Sequence, residues 1–197
     1  NVLVINIGGI SNFTFINEIK LLSSDIGPGN VLLDKFCEVY YNKFFDIDGK
    51  ISSSGKVIPE LIKEWSKKKF LNLPYPKSFD NFEFQLKDYI KSNDFSKTDL
   101  LRTLTYFSAL IIKRVETFLP DSVDEWIICG GGSKNLTLLS DLRKIVKKGK
   151  IFTSDNFGFD PSFIESQAFA YISIRTIKNL KSSFPETTGA LKSSISG

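Results

Sequence analysis

The apolar, β-branched run Val2-Leu3-Val4-Ile5-Asn6-Ile7 ends abruptly at Gly8-Gly9. Such side chains fit a pleated surface, so the run reads as a buried strand. A glycine pair directly after it is a strong signal for a two-residue hairpin, whose tight turn needs positive φ. The pattern recurs where residues 125–129 (Glu-Trp-Ile-Ile-Cys) run into Gly130-Gly131-Gly132. Buried strands that end in glycine bends confine the chain to a sheet whose strand ends are closely approached. The segments between them decide which sheet.

Residues 12–17 and 20–25 read as second and third strands, with a turn near Asn17-Glu18-Ile19, so the opening is an antiparallel meander. Ile26-Gly27-Pro28-Gly29 breaks the chain, with Pro28 suited to the first turn of a helix. Residues 31–45 follow with helical spacing of apolar groups. Residues 46–98 are less regular and read as a helical insertion. Within it, Ile58, Leu61, Ile62 and Trp65 predict an amphipathic helix from Ile58 to Phe70, and residues 84–91 a further short helix. Pro74 and Pro76 keep their neighbourhood out of a helix. Ser96-Lys97-Thr98-Asp99 opens a long helix to about Leu119, ended by Pro120 and Asp121. After the strand at 125–129 come a helix from about Asn135 to Lys147, a strand over 150–153, and a helix from about Pro161 to Asn179. The order β-β-β-α-(insertion)-α-β-α-β-α predicts an α/β, ribonuclease-H-like (actin-like ATPase) lobe. Its mixed five-stranded sheet carries helices on both faces and a helical insertion over 46–98.

Composition narrows the chemistry. The chain of 197 residues has no histidine, which excludes Ser-His-Asp and Cys-His relays and His-ligated metals within it. Cys37 and Cys129 form no CxxC pair and fit a reducing compartment; Cys129 reads as a small buried strand residue. The net charge of +4 comes mostly from scattered lysines and reads as solvated surface, so no nucleic-acid partner is expected. No apolar run approaches the roughly 18 residues of a membrane span, and the start lacks the basic region of a signal peptide. Asn1 is not an initiator, because the chain has no methionine, so part of a longer parent is expected to be absent.

Three glycine turns carry the candidate chemistry. In Asn6-Ile7-Gly8-Gly9-Ile10-Ser11-Asn12, backbone N–H groups bare of Cβ atoms can approach phosphate oxygens; an ordinary hairpin is the alternative. In Asp25-Ile26-Gly27-Pro28-Gly29-Asn30, the carboxylate can hold a hydrated Mg²⁺ or orient a substrate hydroxyl; alternatively it caps the next helix. In Gly130-Gly131-Gly132-Ser133-Lys134-Asn135, the glycines admit a flat base or ribose, or simply allow tight strand–helix packing. This last turn also mimics a dinucleotide fingerprint, with Asp155 at about the right distance, but Asn135 replaces the third glycine and the motif does not open the fold. Glu165, in the first turn of an apolar helix, either serves the helix dipole or binds a sugar hydroxyl.

Together these motifs resemble the 1,6-anhydro-N-acetylmuramic acid kinases of the sugar-kinase/actin superfamily. Asn6–Asn12 is similar to the family's N-I/L-G-G-x-A/S-N, and Asp25–Asn30 with Leu33-Asp34 to D-T-G-P-G-N-x-L-x-D. Pro76-Lys77-Ser78, Thr103-Leu104-Thr105 with Ala109, Cys129–Asn135, Glu165 with Ala168-Phe169-Ala170, and Pro185 with Thr188-Gly189 match further motifs in order. Ile26 departs from the usual Thr, residues 79–84 from a T-G-R-E segment, and Arg102 from an Ala.

The resemblance implies ATP and Mg²⁺ as cofactors, an amino-sugar substrate, a cytoplasmic homodimer, and hydrolytic opening of the anhydro ring with phosphorylation of O6. It implies nucleotide contacts at Asn6, Gly8, Gly9, Gly27, Gly29, Gly130, Gly131, Gly132 and Asn135. Asp25 would act near the metal through water, and Glu165 on the sugar. It also implies that this chain is the carboxy-terminal lobe alone. The first phosphate loop and the general base are expected in an absent amino-terminal lobe, so no catalytic base is assigned here and the chain by itself is expected to be inactive. The rival expectations are an inert nucleotide-binding actin-like module and a dinucleotide-dependent enzyme.

Overall fold

The computed structural model describes residues 1–91 and 94–195. β1 (Val2–Ile7), β2 (Ile10–Ile16) and β3 (Leu21–Pro28) form the predicted meander. α1 (Val31–Tyr41), α2 (Lys50–Ser53), α3 (Pro59–Trp65) and α4 (Lys97–Arg114) follow. Then come β4 (Glu125–Cys129), α5 (Leu136–Ile145), β5 (Lys150–Thr153), α6 (Ile164–Ile177) and α7 (Pro185–Thr188). The sheet order is β3-β2-β1-β4-β5, with β1, β4 and β5 parallel to one another. This is the mixed five-stranded sheet expected from the element order.

Alternation along the strands fixes which face is buried. Leu3, Ile5 and Ile7 are fully buried, opposite Phe13 and Phe15 on β2 and Trp126 and Ile128 on β4. Leu32, Leu33 and Phe36 of α1, Leu101, Leu104 and Phe107 of α4, and Leu138 and Leu142 of α5 complete one core with them. The other face, with Val2, Val4, Asn6 and Asn12, is half-buried. Ser96 caps α4 by accepting from the Asp99 N–H, as its sequence suggests.

Several boundaries differ from expectation. β3 runs on through Gly27 to Pro28 instead of breaking at Ile26, so Pro28 does not start a helix. β3 is an edge strand, where a missing N–H is tolerated. α1 stops at Tyr41, and Asn42 takes a left-handed conformation that closes it. α3 stops at Trp65, because the next positions on its apolar face, 68 and 69, are lysines. Only a single 3₁₀ turn, Leu86–Asp88, forms within 84–91. α6 begins at Ile164, three residues beyond Pro161.

The insertion is held mainly by aromatic packing. Trp65 meets Tyr89 and Phe107 edge-on at 5.6 and 5.5 Å, and its indole N–H donates to the Tyr89 carbonyl. The part of the predicted insertion at residues 92–93 lies outside the described residues.

Candidate functional site

β1 and β4 lie side by side and parallel, with Asn6 opposite Cys129, so the turns that follow them emerge together. Gly130 has φ +77°, and a Cβ there would lie 2.3 Å from Asn6 Oδ1. A Cβ on Gly132 would strike Ile7 Cγ2 at 2.2 Å. Glycine is therefore what lets this turn press against the end of β1.

The turn between β3 and α1 reaches the same place. Asn30 N–H donates to the Gly8 carbonyl at 2.8 Å, and Gly29 and Val31 N–H donate to the Gly9 carbonyl at 2.8 and 3.1 Å. Asn30 Nδ2 donates to the Ile7 carbonyl at 3.3 Å. In a trans peptide the N–H points away from the carbonyl of the preceding residue, and the cis bond found among the described residues is Tyr75–Pro76. The Gly8 and Gly9 N–H groups are thus turned away from the β3–α1 turn. All three glycine turns meet at one end of the sheet, beside the carboxyl ends of β1 and β4.

Not every predicted contact has the predicted character. A Cβ on Gly27 would meet the Phe70 ring at 2.6 Å and one on Gly29 the Gly8 carbonyl at 2.5 Å. Both glycines make room for protein atoms. Asn135 is buried, and its Oδ1 accepts from the Leu138 N–H, capping α5. Asp25 does not cap α1; that position belongs to Asn30. Instead Asp25 Oδ2 accepts from the Phe79 N–H at 2.8 Å. Register aligns Asn6 with Asn12 and Asn12 with Asp25, a polar row across three strands on the half-buried face. Glu165 is exposed on α6, and the structure does not bring it into the cavities at the glycine turns. Just before its helix, Ser162 Oγ accepts from Lys134 Nζ of the third turn at 2.8 Å.

A cavity of about 420 Å³ opens between α1, residues 45–48 and the third glycine turn, bordered by Asn30, Asp34, Phe45, Ile47, Gly131 and Asn135. Across Asp34 lies a smaller hollow of about 280 Å³, lined by Gly9, Val31 and Asn81 among others. Burial pushes the Asp34 carboxyl up to about 6. A further hollow of about 470 Å³, beside Pro120–Val123 and Lys147, sits at the opposite ends of β4 and β5. Ligands in open α/β sheets bind at the carboxyl ends of the strands, which favours the first pair. Asp34, Asn81 and Phe45 had no role in the sequence reading. Asp34 was legible as a motif residue, whereas Phe45 and Asn81 are brought in by the irregular insertion.

The chemistry available is that of a polar rim with one dominant carboxylate. Among the described residues, no three His, Cys, Asp or Glu side chains gather to hold a metal. Asp25 therefore fits Mg²⁺ only as a hydrated ion whose other ligands come from phosphates and water. Burial raises the Cys37 and Cys129 thiols to about 12 and about 11, which excludes them as nucleophiles at neutral pH. Among the described residues, no helix is long and apolar enough to cross a membrane.

An activator of 2-hydroxyisocaproyl-CoA dehydratase from Clostridium difficile, solved with ADPNP bound, superposes with a TM-score of 0.50 at 14% identity, over 91% of this chain and 65% of that one. It shows the actin-like ATPase fold. Anhydro-N-acetylmuramic acid kinases from Rhodopseudomonas palustris and Bradyrhizobium diazoefficiens are 37% and 38% identical over 94% and 95% of this chain. The chain spans about half the length of these curated relatives, 50% and 51%. The family model described as anhydro-N-acetylmuramic acid kinase matches residues 1–197. The chain belongs to the anhydro-N-acetylmuramic acid kinase family.

Proposed function

We propose that this chain is the nucleotide-gripping, carboxy-terminal part of a cytoplasmic, ATP-dependent anhydro-N-acetylmuramic acid kinase. The reaction opens the 1,6-anhydro ring with water and transfers the γ-phosphoryl group of ATP to O6, leaving ADP and a sugar 6-phosphate. The convergence of the three glycine turns at the carboxyl ends of β1 and β4 carries the reading. The Gly8 and Gly9 N–H groups meet phosphate oxygens, the Gly130–Gly132 turn flanks the adenosine, and Phe45 and Ile47 wall the cavity. Mg²⁺ arriving with ATP supplies charge neutralisation, and Asp25 orients water at the reacting end. Phosphoryl transfer depends on such positioning more than on covalent chemistry by the protein. Glu165 reaches the sugar only after α6 is packed by the rest of the protein, and the general base comes from the half of the family's length outside this chain.

Calorimetric titration tests the reading. A Cβ on Gly131 would meet only Asn30 Nδ2, at an ordinary 3.7 Å, so Gly131→Val should fold. Its side chain intrudes on the cavity and should weaken ATP binding by about tenfold, ~1.4 kcal/mol. NAD binding more tightly than ATP would overturn the reading in favour of a dinucleotide enzyme.

A further inference from the structure

We infer that Ser24 and the strap Lys77–Phe79 are a positioning device for the Asp25 carboxylate. The inference rests on the proposed role of Asp25 at the reacting end. β3 is an edge strand, and an edge exposes unpaired N–H and C=O groups. The strap pairs with it beside Asp25. Asp25 N–H donates to the Lys77 carbonyl at 3.0 Å. Ser24 Oγ is buried and accepts from the Lys77 N–H at 2.8 Å. Its one proton is shared between the Lys77 and Asp25 carbonyls, both at 3.0 Å. These bonds place the Phe79 N–H 2.8 Å from Asp25 Oδ2. No bond to Asp25 Oδ1 is found among the described residues, so the carboxylate is gripped by one oxygen while the other is left for chemistry.

The strap is fastened from behind as well. Lys77 Nζ donates to the Phe70 carbonyl at 2.9 Å and lies over the Tyr75 and Phe79 rings at 4.6 and 5.5 Å. Burial, with Arg114 nearby, lowers its ammonium to about 8, the mark of a cation drawn out of water. Phe70 meets Phe79 edge-on at 5.9 Å and occupies the space that a side chain at Gly27 would fill. Gly27 and Pro76-Lys77-Ser78, two motifs distant in sequence, thereby serve one carboxylate. A chain of hydrogen bonds that fixes a reactive group within a few tenths of an ångström changes turnover without changing what binds.

The test compares Ser24→Ala and Ser24→Thr in the protein extended to the length of its relatives. Amide hydrogen exchange at Phe79 is read beside kinase kinetics. Ser24→Ala should speed Phe79 exchange and lower kcat, each by about tenfold, with the KM for ATP within about twofold of wild type. Ser24→Thr, which keeps the hydroxyl, should restore both. Should Ser24→Ala fail to fold, Asp25→Ala removes the acceptor and should speed Phe79 exchange in its place. Unchanged Phe79 exchange in a folded variant overturns the strap, and faster exchange with wild-type kcat overturns its positioning role. A wild-type protein without turnover defeats the kinase reading instead, and slow Phe79 exchange that quickens in Asp25→Ala would still support the strap.

Discussion

The carboxyl of Asp34 sits at the wall between two hollows with its acidity suppressed by burial. The unfolded chain loses this proton near 3.8, the folded one near about 6. Between those values the folded state holds a proton that the unfolded state has released, so stability must fall as pH rises through that window. Asp34→Asn should flatten the dependence of Tm on pH between about 4 and 6 and raise Tm at pH 7, as measured by thermal denaturation. Little of this was visible in the sequence, which places Asp34 in the first turn of a helix but not beside a cavity. Gly130 was legible as a turn residue because a glycine at a strand end has few purposes, whereas Gly8 and Gly9 turn the chain without the positive φ of a two-residue hairpin, since Ile7 pairs with Ser11. Asn135 and Gly27 each satisfy a local demand, a helix cap or room for a ring, that sequence spacing cannot separate from ligand contact.

Among the elements, α4 and α5 are joined by an ion pair that explains a departure from the family pattern. Arg102 donates from both terminal nitrogens to Asp141 at 2.6 and 2.7 Å, and the two side chains are 15% and 3% exposed. Arg102→Ala leaves a buried carboxylate without its partner and should cost about 3–5 kcal/mol in denaturant unfolding. Adding Asp141→Leu should recover much of that loss. The strands β4 and β5 were read to the residue because β-branched runs bounded by turn residues leave no competing pattern. The insertion was not, since Trp65, Phe70, Phe84 and Tyr89 answer to one another across the fold and not to a local period. Pro28 shows the same override, drawn into β3 by pairing with Ile10.

For the whole molecule, α6 stands apart. It has no buried residue, and Phe169, Ile174 and Ile177 are 64, 52 and 80% exposed. Large apolar side chains exposed in this number on one helix favour association. The chain as it stands should self-associate as its concentration rises, and Phe169→Ser with Ile177→Lys should shift the light-scattering mass towards the monomer. An unchanged mass would assign the association to another surface. The mixed five-stranded sheet was legible from element order, but the exposure of α6 was not, because its composition is that of a buried helix. The pairing of β1 with β4 has a separate effect on timing. Cys129 and Ile5, joined by a thiol-to-carbonyl contact, stand 124 positions apart. Joining such distant segments is slow, because a long loop must close before any contact rewards it. A ribosome emitting this chain therefore releases the hairpin long before the partner strand exists. On the reading proposed above, nucleotide capture is a late event of synthesis, and a bound fluorescent ATP analogue should report that β1 and β4 have paired.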